Sequence, residues 1–534
     1  MYVLFIDGVD DIFSPARGTL VFFFTTLRLR RAAVLLGFAT RSLTLSVDWF
    51  IDTSVIACLL LIIIGYILLT NLIGILAAKN VKSSPDFLIA SGRFGTIFIV
   101  AILCGAWEGS GASIGITQKA FDSGLFAGFY SSFFTLGLFI AAFFIIPIAR
   151  RLGVLTLPEL VGKLLGAKGR WLTSVLWLMQ DMIVLSMQFL GAAGIFSALF
   201  NLPVHWGILI TLFSVIFYMV LGGMVSAGWT NLLHMIVMSL SALVAIPLVL
   251  TYKDGLSGAL QTLPESYFTV DGIGMGTLLG WFLAVSSGPI VHQITFSVAN
   301  SARSDKECRK GFFYSALIIC FFSFPFALLG VIAKAYLPET TNLLALPQLA
   351  MEINPYFAGF LLAGVMAAIL STLAPMLFAS PTIFINDIYL PLKKNVSEKE
   401  KLFVSRLCAL IILLLGMVIA LLVESIVQAT VFAFTFRLVI LLVVVLPLIF
   451  AFLRKITVEG GLLAIVCGAI APFICQFALD NPIQPMYAAM LAVVLGLILG
   501  SLFTQKKGNY IKEIWYFIKA HYDENEKEKG SELL

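Results

Sequence analysis

Four ionisable side chains fall inside long apolar runs of this sequence: Glu108, Asp181, His292 and Arg437. Ionisable groups are costly at membrane depth, and where they occur they mark substrate or ion pathways. A carboxylate such as Glu108 or Asp181 suits an amine, whereas the planar fork of Arg437 suits a carboxylate. Asp181 and Gln188 stand seven residues apart and so share one helix face. His292 has three readings: solute binding, proton relay or a satisfied interior histidine. Arg437 has a plainer alternative too, a structural bridge to Glu108 or Asp181. Together these residue types point to a small solute that is zwitterionic or carries a carboxylate.

Such groups need elements that hold them at depth. Of the 534 residues, 60% are hydrophobic and only 12% charged, with a mean hydropathy of +1.03. A soluble domain carries about 25% charged residues. Repeated apolar runs of about twenty residues therefore define an all-α polytopic membrane protein. Thirteen spans are expected, near 50–77, 95–119, 124–149, 171–200, 204–226, 229–251, 273–297, 312–336, 355–386, 402–424, 428–452, 459–480 and 485–504. This composition excludes a soluble enzyme, a nucleic-acid binder and a disordered scaffold. The net charge of +5 resides in short loops between spans, and the seven cysteines, without CxxC spacing, read as buried thiols.

Basic residues orient the bundle. Lys79, Lys82 and Arg93, then Arg150 to Arg170, Arg303 to Lys310, Lys393 to Arg406, and Arg454 with Lys455 fall on alternate loops. The opposite loops are poor in charge, with Lys253 and Lys334. The expected topology has the N-terminus outside and the C-terminus in the cytoplasm. Residues 1–45 disagree, since Arg28, Arg30, Arg31 and Arg41 would lie outside. They read as an atypical extension, with the functional chain beginning near Ser46. Residues 46–505 form the transmembrane domain. In the tail, 506–534, Ile511, Ile514, Trp515 and Ile518 recur at helical spacing among lysines, as in a short helix on the inner membrane surface.

Two spans are interrupted. Span 2 carries Leu103–Gly115 (LCGAWEGSGASIG), with four glycines, two serines and Glu108. Span 7 carries Ser286–Gln293 (SSGPIVHQ), where Pro289 removes a backbone donor. The breaks lie five spans apart, as the first members of two five-span halves, spans 2–6 and 7–11. Inverted repeats with broken first helices point to a secondary transporter that binds solute and ion against unwound backbone. The plainer reading, close packing through small residues, covers the glycines of span 2 but not the matching break in span 7. Gly111–Gly115 also fits the nucleophile pattern G-x-S-x-G, but that motif needs a strand-to-helix turn with acid and His partners. No enzyme is expected.

Five further stretches carry a resemblance: Asp86–Arg93 (DFLIASGR), Arg151–Leu160 (RLGVLTLPEL), Tyr218–Thr230 (YMVLGGMVSAGWT), Ala302–Gly311 (ARSDKECRKG) and Ala363–Tyr389 (AGVMAAILSTLAPMLFASPTIFINDIY). By these the chain resembles the sodium:solute symporter family over about residues 47–505. Span 2, with Trp107 ahead of a glycine cluster, is most similar to the branch of the choline transporters. The resemblance implies a LeuT-like five-plus-five inverted repeat with flanking helices. It also implies a sodium-coupled symporter of the plasma or bacterial inner membrane, importing a small polar solute by alternating access, with Na+ as coupling ion and no other cofactor. The implied sodium ligands are the hydroxyls of Ser371 and Thr372 and the backbone carbonyls of Ala368, Gly105 and Glu108. Hydroxyls back-bonding to their own helix are the structural alternative.

Trp107 matches an aromatic that contacts quaternary ammonium in that branch through cation–π attraction. Where the branch supplies a second tryptophan in span 7, this chain has His292, followed by a matching Gln293, so the cage is incomplete. The family commonly has Trp-Thr-Asp-x-x-Gln after the fifth span; here it is Trp229-Thr230-Asn231-Leu232-Leu233-His234. The lost carboxylate, with His292, makes a proton-coupled carrier or facilitator the alternative. A transport-inactive membrane sensor is more remote, since it needs an output domain or a partner. The solute, Na+ and the lipid bilayer are the expected partners, and nucleic acid is not.

Overall fold

A computed structural model describes residues 53–504, apart from 152, 201, 423–425, 450–455 and 478–484. The N-terminal extension and the C-terminal tail discussed above lie outside the described residues. Among those residues the chain is helical, with one isolated parallel bridge between Phe94 and Ala302. The elements that matter for the site are α1 (Thr53–Ala78), α2 (Ser84–Ile89), α3 (Thr96–Trp107), α4 (Ile116–Ser123), α5 (Phe129–Ile140), α6 (Leu157–Phe200) and α7 (Val204–Thr251). They continue with α8 (Met275–Val291), α9 (Gln293–Ser301), α10 (Asp305–Ile319), α11 (Ser323–Tyr336), α12 (Pro355–Ile383), α13 (Glu398–Ala420), α14 (Ile426–Ile449), α15 (Val458–Phe477) and α16 (Pro485–Phe503).

Among the described residues ten helical stretches are long and apolar enough to cross a membrane, and α3 with Gly111–Ser123, bent by 50°, makes an eleventh. The expected thirteen are not reached on that criterion. The two remaining spans correspond to Val204–Ile216 and Phe432–Val444, apolar helices too short to qualify among the described residues. Two expected spans run together in α7, whose 48 residues would reach about 72 Å if straight, more than twice a hydrocarbon core of about 30 Å. A break at Gly223, with φ of 49°, divides it. A side chain there would strike the Phe87 carbonyl, so glycine answers both the backbone conformation and the close approach. Likewise α6 starts at Leu157, ahead of the expected 171, and is broken at Gly166.

Burial sorts the helices. The window over Pro355–Leu392 is 94% buried, against 28% for Leu61–Ala78. Thus α12 is central and α1 peripheral, its Leu61, Leu68 and Leu72 exposed as lipid contact requires. The motif stretches stitch this bundle together. Phe94, just past the first, donates to Ser301 at 2.8 Å and accepts from Arg303 at 2.9 Å, while Thr96 N donates to Glu307 Oε2 at 2.7 Å. Thr156 Oγ1 donates to Asp387 Oδ1 at 2.9 Å, and Arg170 Nε pairs with the same oxygen at 2.6 Å.

Outside the spans, α2 begins with a capping box between Ser83 and Asp86. Burial raises the pKa of Asp86, but the hydroxyls of Ser91 and Ser83, the Lys82 amide and Arg93 outweigh it and hold the carboxylate below its ordinary value.

Candidate functional site

The break in span 2 faces α12. Glu108 closes α3, its amide donating to the Cys104 carbonyl at 3.1 Å, and leaves the helix at φ −107°, ψ 38°. Against this break stand the hydroxyls of α12. Ser371 Oγ donates to Gly105 O at 3.2 Å and Ala368 O at 2.8 Å. Thr372 Oγ1 donates to Gly105 O at 2.7 Å and Ala368 O at 3.2 Å. Each hydroxyl therefore shares its one hydrogen between the Ala368 carbonyl of its own helix and the Gly105 carbonyl of span 2. Gly105, Ala368, Ser371 and Thr372 converge on one buried point. A Cβ on Gly105 would lie 2.7 Å from Ser371 Cβ and 2.9 Å from Asn231 Nδ2, which is why this face of α3 is bare. Asn231 Nδ2 also donates to Ser371 O at 3.2 Å, while its Oδ1 has no partner.

Chemically this is a cluster of neutral oxygens. A hard cation prefers several oxygen ligands, and hydroxyls and carbonyls supply them without a net charge.

The break in span 7 is built differently. Pro289 lies inside α8, and the helix ends at His292, whose ψ of 140° is extended. His292 Nδ1 accepts from Ile294 N at 3.1 Å and so caps α9, while Thr295 Oγ1 donates back to Pro289 O at 2.7 Å. The other ring nitrogen, Nε2, lies 3.6 Å from Asp181 Oδ1. The imidazole stands edge-on to Trp107 and Trp177, with ring centroids 5.4 and 4.7 Å away. Asp181 Oδ2 accepts from Ser380 Oγ at 2.7 Å, leaving Oδ1 without a hydrogen-bond partner.

Arg437 completes this second pocket. It is buried, its guanidinium 4.5 Å from the Phe434 ring and 5.5 Å from the Trp107 ring. Nε donates to Gln180 Oε1 at 3.3 Å, and NH1 has no partner. Among the described residues no carboxylate lies within ion-pair distance of Arg437. The structural bridge to Glu108 or Asp181 is therefore not formed. Gly288 keeps the space open, since a Cβ there would stand 3.1 Å from Trp107 and 3.2 Å from Arg437 NH1.

Trp107, Asp181, His292 and Arg437 thus come together. The two glutamines go elsewhere. Gln188 Oε1 accepts from Ser110 N at 2.8 Å, satisfying unwound backbone in span 2. Gln293 accepts from Leu157 N at 3.0 Å and donates to Leu155 O and Ser297 Oγ at 3.0 and 3.1 Å, holding the start of α6. Trp177, Gln180, Ser380 and Phe434 belong to the pocket and had not been singled out from sequence. Trp177 and Asp181 share a face at i, i+4, a signal present in the sequence; nothing in it pairs Gln180 with a residue 257 positions away.

The model of the sodium:solute symporter family matches residues 87–468, which span both pockets. The chain belongs to the sodium:solute symporter family. A sodium/proline symporter of Staphylococcus aureus (strain JH9) is 25% identical over 391 residues, covering 66% of this chain and 73% of that protein. The fold agrees with the structure of a Na+-coupled sialic acid symporter in a substrate-bound outward-open state, with a TM-score of 0.69 at 18% identity, covering 83% of this chain and 96% of the other. A nucleobase-cation-symport-1 family transporter, closed with bromovinylhydantoin bound, gives a TM-score of 0.53 at 15% identity, covering 79% and 95%. The LeuT-like class of fold is thereby established for this member of the sodium:solute symporter family.

Proposed function

We propose that the protein is a sodium-coupled symporter that imports a small carboxylated or zwitterionic solute across the plasma membrane by alternating access. One observation carries the reading: beside two broken helices, a neutral oxygen cluster and a buried guanidinium without an ion-pair partner share the same bundle interior. Sodium occupies the cluster of Ser371, Thr372 and the carbonyls of Gly105, Ala368 and Glu108. Solute enters beside Trp107, its carboxylate on Arg437. Asp181 and His292 stand ready for an ammonium or hydroxyl group. An unpaired buried cation is costly, so a solute carboxylate supplies the counter-charge that Arg437 lacks.

Sodium joining α3 to α12 orders the span 2 break, and with it Trp107 on the solute side. The linkage is reciprocal, so solute tightens sodium binding by the same factor. Spans 2–6 and 7–11 act as the inverted halves that rock about this centre, and the charge of the loops supports an outside N-terminus and a cytoplasmic C-terminus.

A second reading, proton coupling, is favoured by Asn231, which brings no negative charge to the Ser371 carbonyl, and by the His292–Asp181 contact. Uptake into proteoliposomes separates the two. Accumulation driven by an inward sodium gradient and lost in Ser371→Ala supports the first; accumulation driven by a proton gradient alone, untouched by that substitution, supports the second.

A further inference from the structure

If solute binds beside Trp107 and Arg437 as proposed, the hydrogen-bonding groups there name its class. Trp107 and Trp177 flank the His292 ring, and Trp107 also faces the Arg437 guanidinium. Arg437 Nε meets Gln180 Oε1 at 3.3 Å, and Gln180 stands one helical turn on from Trp177 in α6. These contacts close into a ring. Four donors on it have no acceptor among the described residues: the indole nitrogens of Trp107 and Trp177, Gln180 Nε2 and Arg437 NH1. All four side chains are buried. None of these groups sheds its hydrogen near neutral pH, so no choice of protonation state satisfies them. An unmet buried donor is costly, and a solute oxygen removes that cost. Gln180 and Arg437 are in contact, so Nε2 and NH1 together offer one donor to each oxygen of a carboxylate.

The other wall of the ring pairs a donor with an acceptor. His292 Nδ1 accepts from Ile294 N, so the hydrogen of the neutral imidazole sits on Nε2. Nε2 lies 3.6 Å from Asp181 Oδ1, beyond the length of a hydrogen bond. Asp181 Oδ2 is engaged by Ser380 Oγ. Oδ1 therefore offers a lone pair whether the carboxylate is ionised or carries a proton on Oδ2. One oxygen standing about 2.8 Å from both atoms spans that separation.

A donor beside an acceptor discriminates among solute groups. A hydroxyl accepts from Nε2–H and donates to Oδ1 at once. An ammonium has no lone pair for Nε2–H, a keto oxygen has no hydrogen for Oδ1, and a methylene has neither. We propose that the solute is a hydroxycarboxylate. Its carboxylate rests on Arg437 and Gln180, and its hydroxyl bridges His292 Nε2 and Asp181 Oδ1. Of the solutes that suit Arg437, hydroxy acids are thereby favoured over amino acids, and Gln180 joins Asp181 and His292 as a residue that sets specificity.

Sets of acids that share a carbon skeleton test this: lactate, pyruvate, alanine and propionate; β-hydroxybutyrate, acetoacetate, β-aminobutyrate and butyrate; phenyllactate, phenylpyruvate, phenylalanine and phenylpropionate. Chiral members are supplied as both enantiomers. Binding to the purified full-length protein in saturating sodium is read from the rise in melting temperature along a titration. In the set whose skeleton fits, the hydroxy acid is expected to bind about tenfold more tightly than its oxo, amino and unsubstituted partners. Asp181→Ala is expected to erase that preference while the unsubstituted acid still binds, and Gln180→Leu to weaken every member alike. His292→Asn, which keeps a capping acceptor but loses Nε2–H, makes the same comparison should Asp181→Ala fail to fold. An amino acid that binds most tightly in its set, an unsubstituted acid that equals its hydroxy partner, or a preference that survives these variants overturns the hydroxyl assignment and leaves the carboxylate on Arg437 standing. Stabilisation by none of the acids overturns both. The shift between sodium and potassium without solute reports on sodium coupling separately.

Discussion

The two broken helices are interrupted by opposite means. In span 2 the break is made of small residues; its following turn takes up the Gly109 and Ser110 carbonyls, but Ser110 N and Gly105 O are met by side chains from other helices, Gln188 on the first and Ser371 and Thr372 on the second. In span 7 the break supplies its own repair, since His292 caps α9 and Thr295 returns to Pro289 O. The first break is therefore held in part by its neighbours, which is the property a binding ion can exploit. The second is held by bonds within its own segment, and presents its imidazole between two tryptophans. In the proposed function, one break responds to the ion and the other offers a wall to the solute.

Arg437→Gln breaks the comparison hardest, on the solute side. Truncating one partner of a buried charge pair costs about 2–5 kcal/mol, so half-saturating solute should rise by a factor of about 30 to several thousand. Sodium binding measured without solute should be unchanged. Arg437→Lys restores little, because the fork is lost. Equal damage to both ligands would show that the pockets are one.

Gly105→Ala attacks the other side. Its Cβ would stand 2.7 Å from Ser371 Cβ, an overpacking that costs about 1–3 kcal/mol. Sodium stabilisation should fall while the span 7 pocket, probed by solute binding at saturating sodium, keeps its selectivity. His292→Asn sharpens the contrast. Asn retains a capping acceptor for Ile294 N but removes the ring from Trp107 and Trp177, so the melting temperature should fall by the equivalent of about 1 kcal/mol and solute affinity several-fold. If His292→Ala and His292→Asn lose stability equally, the cap is not what orders this break.

The smallest effect lies outside the membrane. Asp86 is held below its ordinary value of 3.8, so it stabilises the fold above that pH, and the contribution disappears as pH falls through the lower folded value. Asp86→Asn should cost about 1 kcal/mol near neutral pH and nothing at the acid end of a melting series. Neither pocket should notice.

The interruptions were legible because glycine and proline are local causes: Leu103–Gly115 and Pro289 announce a break without any knowledge of the neighbours. Ser371 and Thr372 were legible through the motif Ala363–Tyr389, which also contains Asp387, the partner of Thr156 and Arg170. What sequence did not disclose is long-range. Gln188 and Gln293, polar and well placed along their helices, serve backbone instead of the cavity, because unwound backbone buried in apolar surroundings takes the nearest hydrogen-bonding side chain. Arg437 was visible as a buried cation, but whether a carboxylate met it depended on which of two helices faced it.

The most direct test of the account is the melting temperature of the purified protein in sodium against potassium at equal ionic strength, for the wild type and Ser371→Ala. A ligand that binds only the folded state stabilises it by about 2.7 kcal/mol at a hundredfold excess over its Kd. A sodium-specific rise is expected in the wild type, larger when a carboxylated solute is added, and markedly smaller in Ser371→Ala. Equal melting in sodium and potassium, with a solute effect that shifts with pH, would contradict sodium coupling at the span 2 break.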